Sequence, residues 1–179
     1  RNTMMWEQYR LGIIDKDSLR NDRFRLTFWD LGLDPELTPS TLADDYVKIS
    51  PHKTHLFPYT HDVLSYLRDN YVLHIITNGF AEVQHIKLQS CDLKKYFDQV
   101  IISEHTGFKK PEAGIFEFSL TASGADPNEC LMIGDGLEID IAGARNAGWD
   151  TVYFNPDKIP HDAECTFEIS CLSDLRGFL

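Results

Sequence analysis

The chain has 179 residues, 42% of them hydrophobic, and sets 28 acidic against 17 basic side chains for a formal charge of -11. That length and apolar content suit one ordinary domain, or a core domain with a smaller appendage, and argue against disorder. The acidic excess excludes a sequence-independent nucleic-acid surface and an anionic-membrane surface, because both work through clustered Lys and Arg.

The chain begins at Arg1 without Met, and RNTMMWEQYRLG already reads as the middle of a helix, so the native protein is expected to be longer. Residues 1–56 carry aromatic and leucine residues without strand alternation and are predicted to be helical. Asp15 caps a helix through Leu19, Phe24, Phe28 and Trp29 that stops at Gly32, and Thr38 with Pro39 caps another carrying Leu42, Tyr46 and Ile49. Three helices predict a small bundle, with its aromatics at helical spacing mostly in its core.

From Pro58 the pattern changes to alternating helix and strand. Helices are predicted over 60–70, 80–90, 112–123 and about 138–147, with Gly148 as the last one's C-terminal glycine. Strands are predicted at VLHIIT ending at Thr77, QVIIS ending at Ser103, CLMIG ending at Gly134 and TVYFN ending at Asn155. This alternation specifies an α/β fold, a doubly wound parallel sheet with both faces covered. Ile139, Ala142, Gly143, Ala144 and Ala147 form the close-packing face of the last helix. In such sheets ligands sit outside the carboxyl ends of the strands, where TNG, SEHTGFKKP and GDGLEID all begin.

Thr77, Asn78 and Gly79 precede a helix, so a hydroxyl and free backbone N–H groups point at an anion; the alternative is an ordinary N-cap. Lys109 and Lys110 precede Pro111, which starts a helix. Two adjacent lysines cannot both point inward, and Lys110, beside the proline, is the candidate fixed cation; the alternative is a solvated pair. Asp135 and Asp140 are hard oxygen donors or second acids for Mg2+, which takes one or two protein carboxylates beside phosphate oxygens and waters. The alternative is that Asp135 turns the chain and Asp140 caps a helix, and Glu138 between them is solvated. An anion site, a cation and a metal carboxylate at three successive strand ends together describe phosphoryl transfer.

The order and spelling of these motifs resemble the haloacid dehalogenase superfamily over residues 58–179: HIITNG is similar to its second motif, GFKKPEAGIF to its third and LMIGDGLEIDIAGARNAG to its fourth. MWEQYRLGIIDKDSLRNDRF with ITNGF resembles the helical cap of bacterial pyrimidine 5'-nucleotidases of the YjjG and YfnB type, through Trp6, Tyr9, Gly12, Leu19, Arg23 and Phe24. The resemblance implies a cap over 1–56 and a core over 57–179. It also implies that Thr77 bonds the phosphoryl group, that Asn78 helps through its backbone, that Lys110 neutralises phosphoryl oxygens and nucleophile, and that Asp135 binds Mg2+. Asp140 would orient the lysine or a metal water. The implied activity is a Mg2+-dependent phosphatase working through an aspartyl phosphate on a nucleoside monophosphate, pyrimidine foremost.

Two departures stand out. The family's first motif, a strand ending in DxDxT that supplies the nucleophile, follows no apolar strand in residues 1–179, and the strand it ends is central in the family's sheet, so its neighbours are expected to have unpaired edges. Tyr59 stands where relatives have glycine. The rival readings are a metal-independent 2-haloacid dehalogenase, against which Asp135 argues, and a non-catalytic phosphate-binding module that lacks the nucleophile. A nucleotide-binding Rossmann domain lacks its GxGxxG. Cys91, Cys130, Cys165 and Cys171 show no CxxC pairing and are expected to be reduced thiols; no signal peptide or apolar run of membrane length is found, so a cytoplasmic protein is expected. His52 and His55 read as solvent-facing loop residues.

Overall fold

The computed structural model describes all residues 1–179, which divide into two units, Arg1–Lys53 and Thr54–Leu179. The first unit is helical: α1 (Asn2–Arg10), α2 (Lys16–Asp30) and α3 (Leu42–Ile49), with single 3₁₀ turns at Pro35–Leu37 and Ser50–His52. Asp15 is the N-cap of α2, its side chain accepting the Ser18 N–H at 2.8 Å. That bond holds the Asp15 carboxyl below its usual range. Gly32, with φ 71°, follows the end of α2 in the left-handed region open to glycine. α3 starts later than the sequence predicts: Thr38 and Pro39 lie outside it, Thr38 closing the 3₁₀ turn, and Thr41 is the residue before the helix.

The core of this unit is Met5, Tyr9, Leu19 and Ala43, together with Arg23. Arg23 has no carboxylate beside it; its guanidinium lies 4.6 Å from the Tyr46 ring centre and 4.9 Å from that of Phe24. Aromatic faces replace a counter-charge there. Burial pushes its pKa down from the ordinary arginine value. Trp29, in the last turn of α2, is 67% exposed instead of lying in the core.

The second unit alternates as expected: α4 (Thr60–Arg68), β1 (His74–Thr77), α5 (Ala81–Ser90), β2 (Gln99–Ile102), the short α6 (Ser103–Thr106), α7 (Ala113–Ser123), β3 (Leu131–Gly134), α8 (Ala142–Asn146), β4 (Asp150–Phe154) and β5 (Phe167–Ile169). Pro111 stands two residues ahead of α7, whose N-cap is Glu112. A π-helical turn, Leu137–Ile141, precedes α8, with Ile141 N–H bonded to the Gly136 carbonyl at 3.1 Å. All pairing is parallel.

One face of the β3–β4–β5 sheet packs Val152, Phe154 and Ile169 against Val63 and Leu67 of α4 and Leu175 of the C-terminal turn. A second cluster joins Ile101 and Met132 to Ile115, Phe116, Ala144 and Trp149, from α7, α8 and the turn beyond it. Helices thus cover both faces, which is the doubly wound arrangement. Gly143 is required at the crossing of α8 with α7: a Cβ there would stand 2.8 Å from the Phe116 ring and 2.9 Å from Pro111.

The strands form two sheets: β1 pairs only with β2, and β3 only with β4, which continues to β5. One edge of β1 and one edge of β3 therefore lack a ladder, although Ile76 of β1 and Met132 of β3 share the second core cluster. Exposure follows this gap. Ile133 in β3 is 36% exposed and all four β1 residues are half-buried, whereas Thr151 to Phe154 of β4 are buried. Strands inside a parallel sheet are covered on both faces, so these two behave as edges.

Tyr59, at φ 65°, holds a left-handed conformation that costs a side-chain-bearing residue about 1–2 kcal/mol. Its ring is exposed, so Tyr59→Gly is expected to raise stability by about 0.5–1 kcal/mol, since glycine's greater freedom when unfolded offsets part of the relief. Urea unfolding of the two proteins checks this, and an unchanged or lower midpoint for the glycine variant would contradict it. The four cysteines are free, and no helix is long and apolar enough to cross a membrane.

Candidate functional site

The end of β1 delivers Thr77, Asn78 and Gly79 into a turn ahead of α5. Thr77 Oγ1 accepts the Gly79 N–H at 3.0 Å, which leaves the hydroxyl proton free for another acceptor. A Cβ at Gly79 would meet the Gln84 amide at 2.1 Å, so the Gln84 side chain would have to swing aside to admit one. The N–H groups of this turn are less free than the sequence suggests: Gly79 gives its own to Thr77, and Ala81 gives its own to Glu104 Oε2 at 2.6 Å.

From the end of β2 the chain runs through α6 to Lys109 and Lys110. Lys110 is the buried one, 8% exposed, and Lys109 is half-buried. The Asn78 side chain grips the Lys110 backbone on both sides, its Oδ1 accepting the Lys110 N–H at 2.8 Å and its Nδ2 donating to the Lys110 carbonyl at 2.9 Å. Lys110 Nζ then lies 2.7 Å from Asp140 Oδ1. The contact is an ion pair between two buried side chains.

Asp140 comes from the π-helical turn after β3 and is 3% exposed. Its Oδ2 accepts the Gly136 N–H at 3.0 Å, and its carboxylate packs over Gly134, where a Cβ would stand 2.5 Å from the Asp140 Cβ. Both glycines are needed for this close approach. A continuous polar chain therefore runs from Asn78 through Lys110 to Asp140 and Gly136, and it joins the carboxyl ends of β1, β2 and β3. Opposite charges buried together interact more strongly than exposed ones, because little water screens them.

Asp135, between those two glycines, is exposed and takes no hydrogen bond or ion pair within the chain. No three His, Cys, Asp or Glu side chains gather closely enough to hold a metal by themselves. One or two carboxylates are what Mg2+ takes, since it keeps waters and phosphate oxygens around them, and Asp135 is free to serve as one. Glu138, His52 and His55 are exposed.

Two residues at this edge escaped the sequence reading. Ser103, immediately after β2, is 3% exposed with a buried hydroxyl that has no partner, and Glu104 caps α5. Their position directly after a strand was the available signal. The side-chain grip of Asn78 has no such signal, because its partner lies 32 residues away.

A family model described as haloacid dehalogenase-like hydrolase matches residues 14–148. The chain is 33% identical over 181 residues to the pyrimidine 5'-nucleotidase YjjG of Escherichia coli, covering 99% of this chain and 79% of that protein. It is 34% identical over 182 residues to the pyrimidine 5'-nucleotidase PynA of Streptococcus pneumoniae, covering 99% of this chain and 76% of that one. The structure of the HAD-hydrolase YfnB of Bacillus subtilis, solved bound to magnesium, superposes with a TM-score of 0.89 at 29% identity, over 99% of this chain and 78% of that one.

Proposed function

The chain belongs to the haloacid dehalogenase-like hydrolases, and from that premise we propose that it hydrolyses phosphomonoesters through an aspartyl phosphate, with nucleoside monophosphates, pyrimidine ones foremost, as substrates. The observation that carries this reading is the buried Lys110–Asp140 pair beside the Thr77 turn: a fixed cation and a free hydroxyl proton at one sheet edge. The kinship to two pyrimidine 5'-nucleotidases supports the substrate class.

Phosphoryl transfer needs little covalent help from the protein beyond a nucleophile, and its rate comes mostly from positioning and charge stabilisation. Lys110 sets its ammonium against the phosphoryl oxygens. The Thr77 hydroxyl donates a hydrogen bond to one of them, and the backbone of Asn78 and the bare Gly79 let the group approach closely. Asp140 orients Lys110. Mg2+ bound at Asp135 would neutralise charge on the transferring group.

The carboxylate nucleophile attacks phosphorus while the P–O bond to the nucleoside breaks, and the leaving oxygen takes its proton from a general acid, which the next step reloads with a proton from the attacking water. Water then cleaves the acyl phosphate to inorganic phosphate and restores the carboxylate. We place that nucleophile on a strand pairing with the open edges of β1 and β3, whose carboxyl ends flank Lys110.

Hydrolysis of p-nitrophenyl phosphate and of a nucleoside monophosphate panel by the full-length protein, with Mg2+ and then with excess EDTA, tests this. The expected result is phosphate release that EDTA abolishes and Mg2+ restores, fastest on pyrimidine nucleotides. Metal-independent turnover confined to 2-haloacids would overturn it.

A further inference from the structure

The two hydrogen bonds between the Asn78 amide and the Lys110 backbone are made by a side chain for which the reaction has no other use. An amide is one of the few groups that can serve both the N–H and the C=O of one residue, because it carries an acceptor and a donor on the same carbon. Aspartate would offer no donor to the Lys110 carbonyl, and alanine neither partner. Lys110 lies in an irregular segment between α6 and α7, where no helix or strand ladder fixes its backbone. Its ammonium must nevertheless reach Asp140, which belongs to a different part of the sheet edge. A four-carbon stem has several rotatable bonds, so its tip is placed only if its root is fixed.

We propose that Asn78 is a positioning residue: its side chain holds the Lys110 backbone so that the ammonium is presented to the phosphoryl site from within its ion pair with Asp140. The catalytic part of this inference rests on the phosphatase reading above; the structural part does not. Asn78 thereby has a task separate from any backbone contact with phosphate. The tie crosses from the end of β1 to the loop after β2, so the anion-binding turn and the cation are set by one side chain and keep a constant separation. The 3.0 Å bond from Gly79 N–H to Thr77 Oγ1 fixes the other half of the turn.

Two measurements on the full-length protein test this, one without reference to activity. Competitive acetylation followed by mass spectrometry reads the accessibility of each lysine. Lys110 is expected to label at least about ten times more slowly than the exposed Lys48, Lys87 and Lys94, and Asn78→Ala to speed Lys110 about tenfold while leaving those three unchanged. Steady-state hydrolysis of p-nitrophenyl phosphate with Mg2+ reads the second effect. Asn78→Ala is expected to lower kcat about ten- to thirtyfold with KM little changed, and to have almost no further effect in a Lys110→Met background.

Asn78→Asp keeps an acceptor for the Lys110 N–H and loses the donor; it should fall between wild type and alanine, and it substitutes as the test should the alanine variant fail to fold. Unchanged Lys110 labelling in a folded variant, or losses that multiply with Lys110→Met, overturns the positioning role while leaving the phosphatase intact. A wild-type protein inactive on every phosphomonoester removes the phosphatase reading, and the labelling result then still decides whether Asn78 holds Lys110.

Discussion

Asp140→Ala is expected to lower the unfolding free energy by about 3–5 kcal/mol, because it strands the Lys110 ammonium in a site from which water is largely excluded. Part of the loss comes from the Gly136 N–H, which the Asp140 carboxylate accepts at 3.0 Å, and part from the space left over Gly134. The pair is not expected to stabilise the fold relative to apolar residues of the same size, since desolvating two charges costs about as much as their attraction returns. Lys110→Met combined with Asp140→Leu should therefore recover most of what the single change loses. Urea unfolding of the wild type, the single and the double variant measures this as a cycle. A single-variant loss below about 1 kcal/mol would show that Lys110 finds water or another partner when its acid is removed.

Lys110→Met is expected to lower kcat for p-nitrophenyl phosphate by about 10²–10³-fold, the effect seen when one preorganised charge or donor is taken from a transition state. Methionine keeps the length and apolar stem of lysine and deletes only the charge, so a fall in kcat much larger than the rise in KM would assign the loss to the transition state and not to substrate binding. Lys109→Met makes the comparison internal: the neighbouring side chain is half-buried and outside the Asp140 pair, and its replacement should change kcat by less than about threefold. Equal effects at the two positions would contradict the assignment of the inward cation to Lys110.

The alternation of helix and strand from Thr60 to Phe154 was readable because apolar runs closed by glycine or a polar turn leave few other arrangements. The positions of Thr77, Lys110, Asp135 and Asp140 followed from the same logic, since a parallel sheet sends every strand's carboxyl end to one edge. What escaped reading depended on distant partners. β5 is three residues, Phe167–Ile169, and its strand character exists only through pairing with Val152 to Phe154. The turn Leu137–Ile141 takes π geometry in place of the expected regular helix, where Asp140 reaches back to the Gly136 N–H while Ile141 N–H bonds the Gly136 carbonyl. Helical spacing likewise suggested a buried Trp29 and gave no warning that Arg23 would lie inside, against Tyr46 and Phe24.

The Asn78–Lys110–Asp140 tie also gives the reactive edge a mechanical duty. It runs alongside the strand we place between β1 and β3 and links the loops after β1, β2 and β3 through side chains, so that backbone pairing is not the sole connection at their carboxyl ends. Cutting the tie should accordingly quicken hydrogen exchange in the loops that follow β1, β2 and β3 more than in the strands themselves. In this architecture the atoms that would stabilise a migrating phosphoryl group are also the ones that hold three loops in register.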